Sequence, residues 1–363
     1  MISIGEKIHV NLGDDSYDIL IERGLIDKVG PMIKELTDAD RVVVITEDSV
    51  GKQYAAKLNK TLHAAKNLAV RFITVPEGEA CKTLRVLSAV YDAVATFGLD
   101  RGDAIIGFGG GAVGDMAGFA AATYLGGIQY IHVPTSLTAQ LGTAIGGNVG
   151  IDTPNSKNLI SSIAQPRGIF IDPNLLDTLP TEEFHTGLAE AVKIACIEDK
   201  DLFTIFEKAK NDVDLKKRLP EIIERCCRIK ARLSEKDEFA EGQRMLLDFG
   251  NTIGHALEGY NRYDDTVSHG EALSIGMYLI TRQSEKIGLT TKGTADRLKY
   301  VLEFLHLPIH TDVSSDDVLL YMTNDKKIWG DSIRLVLLKT IGQAYLYTAH
   351  LKNLHKYIVT END

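Results

Sequence analysis

Four groups of residues in this 363-residue chain have the types and spacing to do chemistry. The first is a glycine-rich turn, Gly109-Gly110-Gly111-Ala112-Val113-Gly114-Asp115. It fits Gly-x-Gly-x-x-Gly and lies between the apolar run Ala104–Phe108 and the helical stretch Met116–Tyr124. Glycines let the backbone approach a pyrophosphate, and a helix start offers unpaired N–H groups and the positive end of its dipole. The usual dinucleotide fingerprint adds an acid about 20 residues later for the ribose. Here that region reads Pro134-Thr135-Ser136-Leu137, without an acid. Glu47 or Asp48, ending the first strand, and Glu79 with Lys82 in PEGEACKT are the candidate ribose or adenine partners. The turn reads as phosphate-binding, but not of the standard fingerprint.

The second group is Arg244, Asp248, Asn251 and His255. Their spacings of 4, 3 and 4 put them on one face of a helix spanning Glu241–Tyr260. Gly250 and Gly254 flank that stripe, each weakening a helix by about 1 kcal/mol against Ala, which is tolerated where something must approach closely. The third is His269, opening the next apolar helix, and the fourth is Glu190 with Lys193, three apart in another. A glutamate and histidines from separate helices form a reasonable ligand set for a divalent metal. The plainer alternatives are a solvated helix face, a Glu190–Lys193 ion pair and a first-turn histidine.

Positioning these groups requires two kinds of scaffold. Up to about residue 170, β-branched runs alternate with helical stretches: Arg41–Thr46, Ala69–Val75, Ala104–Phe108, Gln129–Val133 and Gly168–Ile171 read as strands. Ser49–His63 and Lys82–Phe97 read as helices, and Ile8–Leu12 with Asp18–Glu22 as an N-terminal hairpin. Such alternation implies βαβ units and a mostly parallel sheet. Beyond Asp172 the pattern turns helical, over Glu182–Ile197, Leu219–Glu238, Glu241–Tyr260, Gly270–Ile287 and Thr291–Leu305, with one late hairpin, Ile333–Leu338 and Ala344–Thr348. The expectation is an α/β nucleotide-binding domain with a mostly parallel sheet over 1–172 and a mainly α-helical domain over 173–363. The turn residues near Asp172–Pro180 mark the boundary, and a site is expected in the cleft between the domains.

The formal net charge of −10 argues against a nucleic-acid binder relying on general positive charge. The four cysteines, Cys81, Cys196, Cys226 and Cys227, form no Cys-x-x-Cys pair and read as free thiols of a reducing compartment. With no signal-peptide pattern in MISIGEKIHV and no apolar run of membrane length, no membrane partner is expected and the expected location is the cytoplasm.

Together, PEGEACKT, GGGAVGDMAGFAAATY, HVPTSLTAQ, IGGNVGID, SKNLI, IDPNLLDTLPTEEFHTGLAEAVK, RMLLDFGNTIGHALE, SHGEALSIGM and NDKK resemble the 3-dehydroquinate synthase family of sugar-phosphate cyclases. The motifs run in the family's order over residues 76–327. The resemblance implies NAD and a divalent metal, zinc or cobalt, as cofactors, a sugar-phosphate substrate and a homodimer. It implies the cyclisation of 3-deoxy-arabino-heptulosonate 7-phosphate to 3-dehydroquinate with elimination of phosphate. A related cyclase for another sugar phosphate, or an NAD-binding homologue with impaired catalysis, are its alternatives. A polyol dehydrogenase is disfavoured, because Lys193, Lys230 and Arg244 suit a multiply anionic substrate.

By the resemblance, Glu47, Glu79, Lys82, Gly111, Gly114, Asp115, Thr135, Ser136, Lys157 and Thr178 fall at NAD contacts. Glu190 and His269 match two of three metal ligands, and Asn251 stands where the third, a histidine, is usual. Asn158, Lys193, Lys230, Arg244, Asp248, His255 and Lys326 or Lys327 match substrate or catalytic positions. The chain departs from the family pattern at Gly126 (usually Arg), Gly142 (Asp), Asn148 (Lys), Asp248 (Asn) and Asn251. Two missing cations would remove about 1.5–3 kcal/mol each of ligand binding.

Overall fold

The computed structural model describes residues 5–153, 156–261, 267–322 and 328–360, which divide into two compact units. The first comprises residues up to Leu179 together with Lys230–Glu238, and the second Pro180–Ile229 and the chain from Phe239 onward. The division at Leu179–Pro180 falls within the turn-rich stretch, seven residues beyond the sequence-based boundary. Lys230, placed by sequence in the helical domain, belongs to the first unit through the end of the long helix Asp212–Lys236.

The first unit is built on a seven-stranded sheet. Its strands are β1 (Glu6–Val10), β2 (Tyr17–Ile21), β3 (Arg41–Glu47), β4 (Ala69–Val75), β5 (Ala104–Gly109), β6 (Gln129–Pro134) and β9 (Gly168–Ile171). The order is β1-β2-β9-β6-β5-β3-β4, parallel throughout except for the β1–β2 hairpin. β7 (Asn148–Thr153) and β8 (Ser156–Ile163) form a separate antiparallel hairpin. The central strands read as nearly continuous apolar runs because both faces are covered. Val42 and Val44 of β3 pack with Ile33, Leu58 and Leu62 on one face. Val43 and Ile45 pack with Val90, Val94 and Met116 on the other.

The helix Leu84–Phe97 starts where Thr83 Oγ1 accepts from Val86 N at 3.3 Å and ends at Gly98, whose φ of 77° suits the left-handed C-terminal cap. The helical stretch after β3 is interrupted by a wider π turn over Gly51–Ala55.

The second unit packs the helices Thr181–Glu198, Asn251–Tyr260 and His269–Lys286 around a common core, with Lys200–Lys208, Thr294–Phe304 and Ser315–Met322 around them. A three-stranded sheet of β10 (Ile328–Trp329), β11 (Ser332–Thr340) and β12 (Gln343–His350) completes it. All four cysteines are buried. Burial pushes the Cys81 thiol up to about 12 and raises that of Cys196 as well.

One sequence-based element is corrected. Glu241–Tyr260 is not a single helix: a 3-10 turn, Gln243–Asp248, and an α-helix, Asn251–Tyr260, meet at Gly250 with φ 80°. Arg244 and Asp248 therefore do not share a helical face with Asn251 and His255. A Cβ on Gly250 would lie 2.5 Å from Met277 Cγ, and one on Gly276 only 2.2 Å from Gly250 O. What approaches these glycines is the neighbouring helix His269–Lys286.

Candidate functional site

In the first unit the candidate site begins at the carboxyl ends of β3 and β5. These strands are neighbours, yet the chain leaves β3 toward β4 and leaves β5 toward β6, on opposite sides. Open α/β sheets bind ligands at such a switch point. Glu47 closes β3, and its carboxylate accepts from Gly110 N at 3.3 Å through Oε1 and from Gly78 N at 3.2 Å through Oε2. Thr135 N donates to Gly109 O at 2.9 Å. A Cβ on Gly110 would lie 3.5 Å from Ser136 Oγ. Glu47, the glycine turn, Thr135 and Ser136 thus converge where the helix Gly111–Thr123 begins.

Gly114, one turn into that helix, is buried, and a Cβ there would meet His132 Nε2 at 2.7 Å. Its small size lets the helix lie close on β6, the packing role of a third fingerprint glycine. His132 is fully buried, neither ring nitrogen has a hydrogen-bond partner among the described residues, and burial lowers its pKa to about 4.

Beside the turn, Lys82 is 2% exposed and surrounded by carboxylates. Its Nζ donates to Asp115 Oδ2 at 2.8 Å and Asn158 Oδ1 at 2.6 Å, with Glu79 at 3.5 Å and Asp152 at 3.9 Å. Burial works against the ammonium, but Asp115 and Glu79 outweigh it and raise the Lys82 pKa. Burial lifts the Asp115 carboxyl to about 6, with Lys82 pulling the other way. Asn158 has φ 50°, and its backbone N donates to Asp152 Oδ1 at 2.6 Å, while Asp152 N donates to Lys82 O at 2.7 Å. An ammonium has no acceptor, so Asn158 must turn its oxygen toward Lys82.

The remaining first-unit residues are more dispersed. Thr178 bonds to Tyr54 Oη at 2.8 Å and donates to Gln53 Oε1 at 2.9 Å, in the helical stretch after β3. Lys157 is half-buried on β8. Lys230 runs past Gly142, where φ is 97° and a Cβ would lie 3.1 Å from Lys230 Cδ and 2.7 Å from Ile145 Cδ1. The backbone conformation and the neighbouring side chains at residue 142 both suit glycine. Gly126 has φ 80°, and Asn148 is exposed at the start of β7.

In the second unit the site gathers on three helices. His269 is the first residue of its helix because Ser268 caps it: Ser268 Oγ accepts from Glu271 N at 3.4 Å, and Glu271 Oε2 accepts from Ser268 N at 2.8 Å. A Cβ on Gly270 would lie 2.3 Å from Thr186 O, so this helix also comes close to Thr181–Glu198, which carries Glu190. The outcome is an imidazole between two buried carboxylates. His269 Nδ1 lies 3.1 Å from Glu258 Oε1, and Nε2 lies 3.3 Å from Glu190 Oε1. Burial pulls the imidazolium down, but the hydrogen bonds and charges of Glu190 and Glu258 prevail and raise it to about 9.

Lys193 Nζ donates to Glu190 Oε1 at 2.9 Å, with both side chains buried. Single donor atoms of His255, Glu258 and His269 all lie within 4.8 Å of one another. Asn251 Oδ1 is buried with no hydrogen-bond partner among the described residues, Arg244 is buried, and Asp248 is half-buried. Lys326 lies outside the described residues. Two carboxylates, two imidazoles and an orphaned amide oxygen are a donor set that fits a divalent cation.

Sequence reasoning missed Glu258 and Asp152. Glu258 had a signal, since His255-Ala-Leu-Glu258 places it one turn beyond His255 on the same helix face. Asp152 closes the motif IGGNVGID, but its proximity to Lys82 joins residues far apart in sequence and had no local signal.

A mostly parallel sheet with a glycine turn at its switch point, followed by a helical unit with a carboxylate–histidine cluster, defines the class. The fold is that of 2-deoxy-scyllo-inosose synthase, solved with carbaglucose-6-phosphate, NAD+ and Co2+ (TM-score 0.83, 22% identity, 96% of this chain and 97% of that one). It is also that of 2-epi-5-epi-valiolone synthase from Streptomyces hygroscopicus subsp. jinggangensis 5008, solved with NAD+ and Zn2+ (TM-score 0.85, 23% identity, 98% and 97%). Residues 72–186 match the 3-dehydroquinate synthase N-terminal family and residues 187–328 the C-terminal family. The 3-dehydroquinate synthase of Clostridium acetobutylicum is 40% identical over 354 residues, 97% of this chain and 99% of its own. The chain belongs to the 3-dehydroquinate synthase family.

Proposed function

We propose that the protein is a phosphate-eliminating cyclase that converts 3-deoxy-arabino-heptulosonate 7-phosphate to 3-dehydroquinate, a step of aromatic amino-acid biosynthesis. The observation that carries this reading is the 40% identity to a curated 3-dehydroquinate synthase over nearly the whole of both chains. The proposed setting is the cytoplasm, as a homodimer.

NAD and a divalent cation, zinc or cobalt, supply when bound a transient oxidation of the C5 hydroxyl and polarisation of its oxygen. In the first unit, Glu47 would accept from ribose hydroxyls, while the N–H groups of Gly111 and Ala112, in the first turn of the helix, would face the pyrophosphate with the helix dipole. Thr135, Ser136, Glu79, Lys82, Asp115, Lys157 and Thr178 complete the cofactor contacts, and Gly114 keeps their helix against the sheet. Asn158 and Lys230 are this unit's contribution to substrate binding.

In the second unit, Lys193 and Arg244 hold phosphate and carboxylate as fixed cations, and Asp248 accepts hydrogen bonds. His255 holds or moves a proton at the substrate, and Lys326 adds a further cation. His269 would hold the cation. The resemblance carries Glu190 and Asn251 over as its other ligands, while Glu258 stands at the other nitrogen of the same imidazole.

A second reading, a cyclase for another sugar phosphate, is favoured by the lack of a cationic side chain at Gly126 and Asn148. One experiment separates the two. Purified protein is incubated with the heptulosonate phosphate, NAD and zinc or cobalt, and phosphate and 3-dehydroquinate are followed. Product at an enzymatic rate supports the first reading. No turnover with NAD still bound overturns it, and turnover of a different sugar phosphate establishes the second.

A further inference from the structure

We infer that Asp152 is a positioning residue of the substrate site, holding Asn158 in the backbone conformation and amide orientation with which it meets the substrate. This rests on the proposed role of Asn158 in substrate binding. The need for such a residue lies in the register of the β7–β8 hairpin. Between the pairs Ile151–Ile160 and Thr153–Ser156, β7 uses one residue, Asp152, where β8 uses three, Lys157, Asn158 and Leu159. The surplus makes a bulge in β8. Bulges beside sites re-aim side chains, and they take backbone groups away from their ladder partners.

Asn158 has φ 50°, in the left-handed region, and it is exposed, so burial does not hold it there. Asp152 supplies the restraint. Its Oδ1 accepts from Asn158 N at 2.6 Å, standing in for a carbonyl of the ladder. Asp152 is itself anchored, because its own N donates to Lys82 O at 2.7 Å and its side chain is only 17% exposed. The carboxylate lies 3.9 Å from Lys82 Nζ, beyond hydrogen-bond reach, so its short bond is to the main chain of Asn158.

Lys82 fixes the other end of the asparagine. Its ammonium donates to Asn158 Oδ1 at 2.6 Å and to Asp115 Oδ2 at 2.8 Å. An ammonium offers no acceptor, so the amide oxygen faces Lys82 and the group turned to the substrate is the Nδ2 donor. A neutral donor suits a phosphate, a carboxylate or a developing oxyanion. With Asp152 setting the main chain and Lys82 the amide plane, Asn158 is ordered before the substrate arrives, which removes an ordering cost from binding.

The test is a double-mutant cycle on the full-length protein with NAD and metal supplied, Asp152→Ala against Asn158→Ala. It is read through kcat and KM for the heptulosonate phosphate. Each single variant is expected to lower kcat/KM by about 10- to 100-fold, the value of a hydrogen bond to a charged group. The double variant is expected to be no worse than Asn158→Ala alone, because Asp152 acts through that residue. Asp152→Asn, which keeps an oxygen acceptor in the same place, is expected to recover most of the loss. In Asp152→Ala, NAD affinity by calorimetric titration is expected to change less than KM, since the backbone bond from residue 152 to Lys82 O remains.

Hydrogen exchange at Asn158 N–H gives a readout independent of turnover. Protection is expected in the wild type and in Asp152→Asn, and its loss in Asp152→Ala, while the helix Gly111–Thr123 stays protected and shows that the variant is folded. The inference is overturned if the two losses multiply in the double variant, or if Asp152→Ala keeps the wild-type kcat/KM. Equal exchange at Asn158 in the wild type and Asp152→Ala overturns it as well. A wild type that leaves the heptulosonate phosphate unconverted overturns the proposed reaction instead, and the exchange pattern then decides whether Asp152 holds Asn158.

Discussion

Gly276 faces the carbonyl oxygen of Gly250 so closely that a Cβ would sit 2.2 Å from it. This approach seats the helix His269–Lys286 against the start of Asn251–Tyr260, the two elements that carry the histidines of the cluster. Gly276→Ala is expected to destabilise the protein by about 3 kcal/mol, the upper end of overpacking penalties, because the obstacle is backbone. Urea unfolding measures this, and an effect below about 0.5 kcal/mol would show that the helices can part without penalty.

Glu47 holds both Gly110 N and Gly78 N, so its removal should loosen the whole cofactor edge of the first unit. Glu47→Ala is expected to weaken NAD binding by about 10- to 100-fold, the equivalent of one charge-assisted hydrogen bond. Calorimetric titration with NAD reads this directly. Unchanged affinity would move the cofactor away from the β3–β5 switch point.

Asp115, lifted to about 6 by burial against the pull of Lys82, gains a proton just below neutral pH. Lys82 then loses an ionised partner, and in the proposed function the cofactor site loses an anionic group. NAD affinity should fall as pH drops through about 6, whereas Asp115→Asn should bind weakly with no inflection there. A flat wild-type profile between pH 5 and 7.5 would remove Asp115 from the cofactor contacts.

His132 gives a stability effect of defined sign. Its folded-state pKa of about 4 lies below the usual 6.5, so the unfolded chain binds more protons between those values. Stability is fully present above about pH 6.5 and is lost as pH falls toward 4, by about 3 kcal/mol in total. Asp115 contributes a slope of opposite sign between about 4 and 6, so the measurement is the difference between wild type and His132→Gln. If that difference does not change between pH 7 and 5, His132 is not buried neutral.

Much of the scaffold was legible because local signals agreed with the final packing. Five of the six parallel strands, β3, β4, β5, β6 and β9, stand where their β-branched runs lie, and the glycine turn sits between strand and helix as its motif requires. The helix over Glu241–Tyr260 misled because the spacing of Arg244, Asp248, Asn251 and His255 is helical, while Gly250 adopts a left-handed conformation that composition does not announce. The β7–β8 hairpin escaped notice because Asn148–Thr153 and Ser156–Ile163 are rich in polar residues and glycine. Glu190 and His269 were paired as candidate metal ligands from residue type and the resemblance, but the close approach that brings them together depends on Gly270 against Thr186, a distance between helices that the sequence does not announce.

The four buried thiols have a practical consequence. Cys81 belongs to the first unit, and Cys196, Cys226 and Cys227 to the second. A disulfide reagent added to the native protein should therefore find no target, and each thiol it gains under mild denaturant marks a loss of structure. If the first unit opens before the second, one equivalent reacts early and three late, and the reverse order gives three and then one. The chain thus carries, without added labels, a reporter of which half unfolds first.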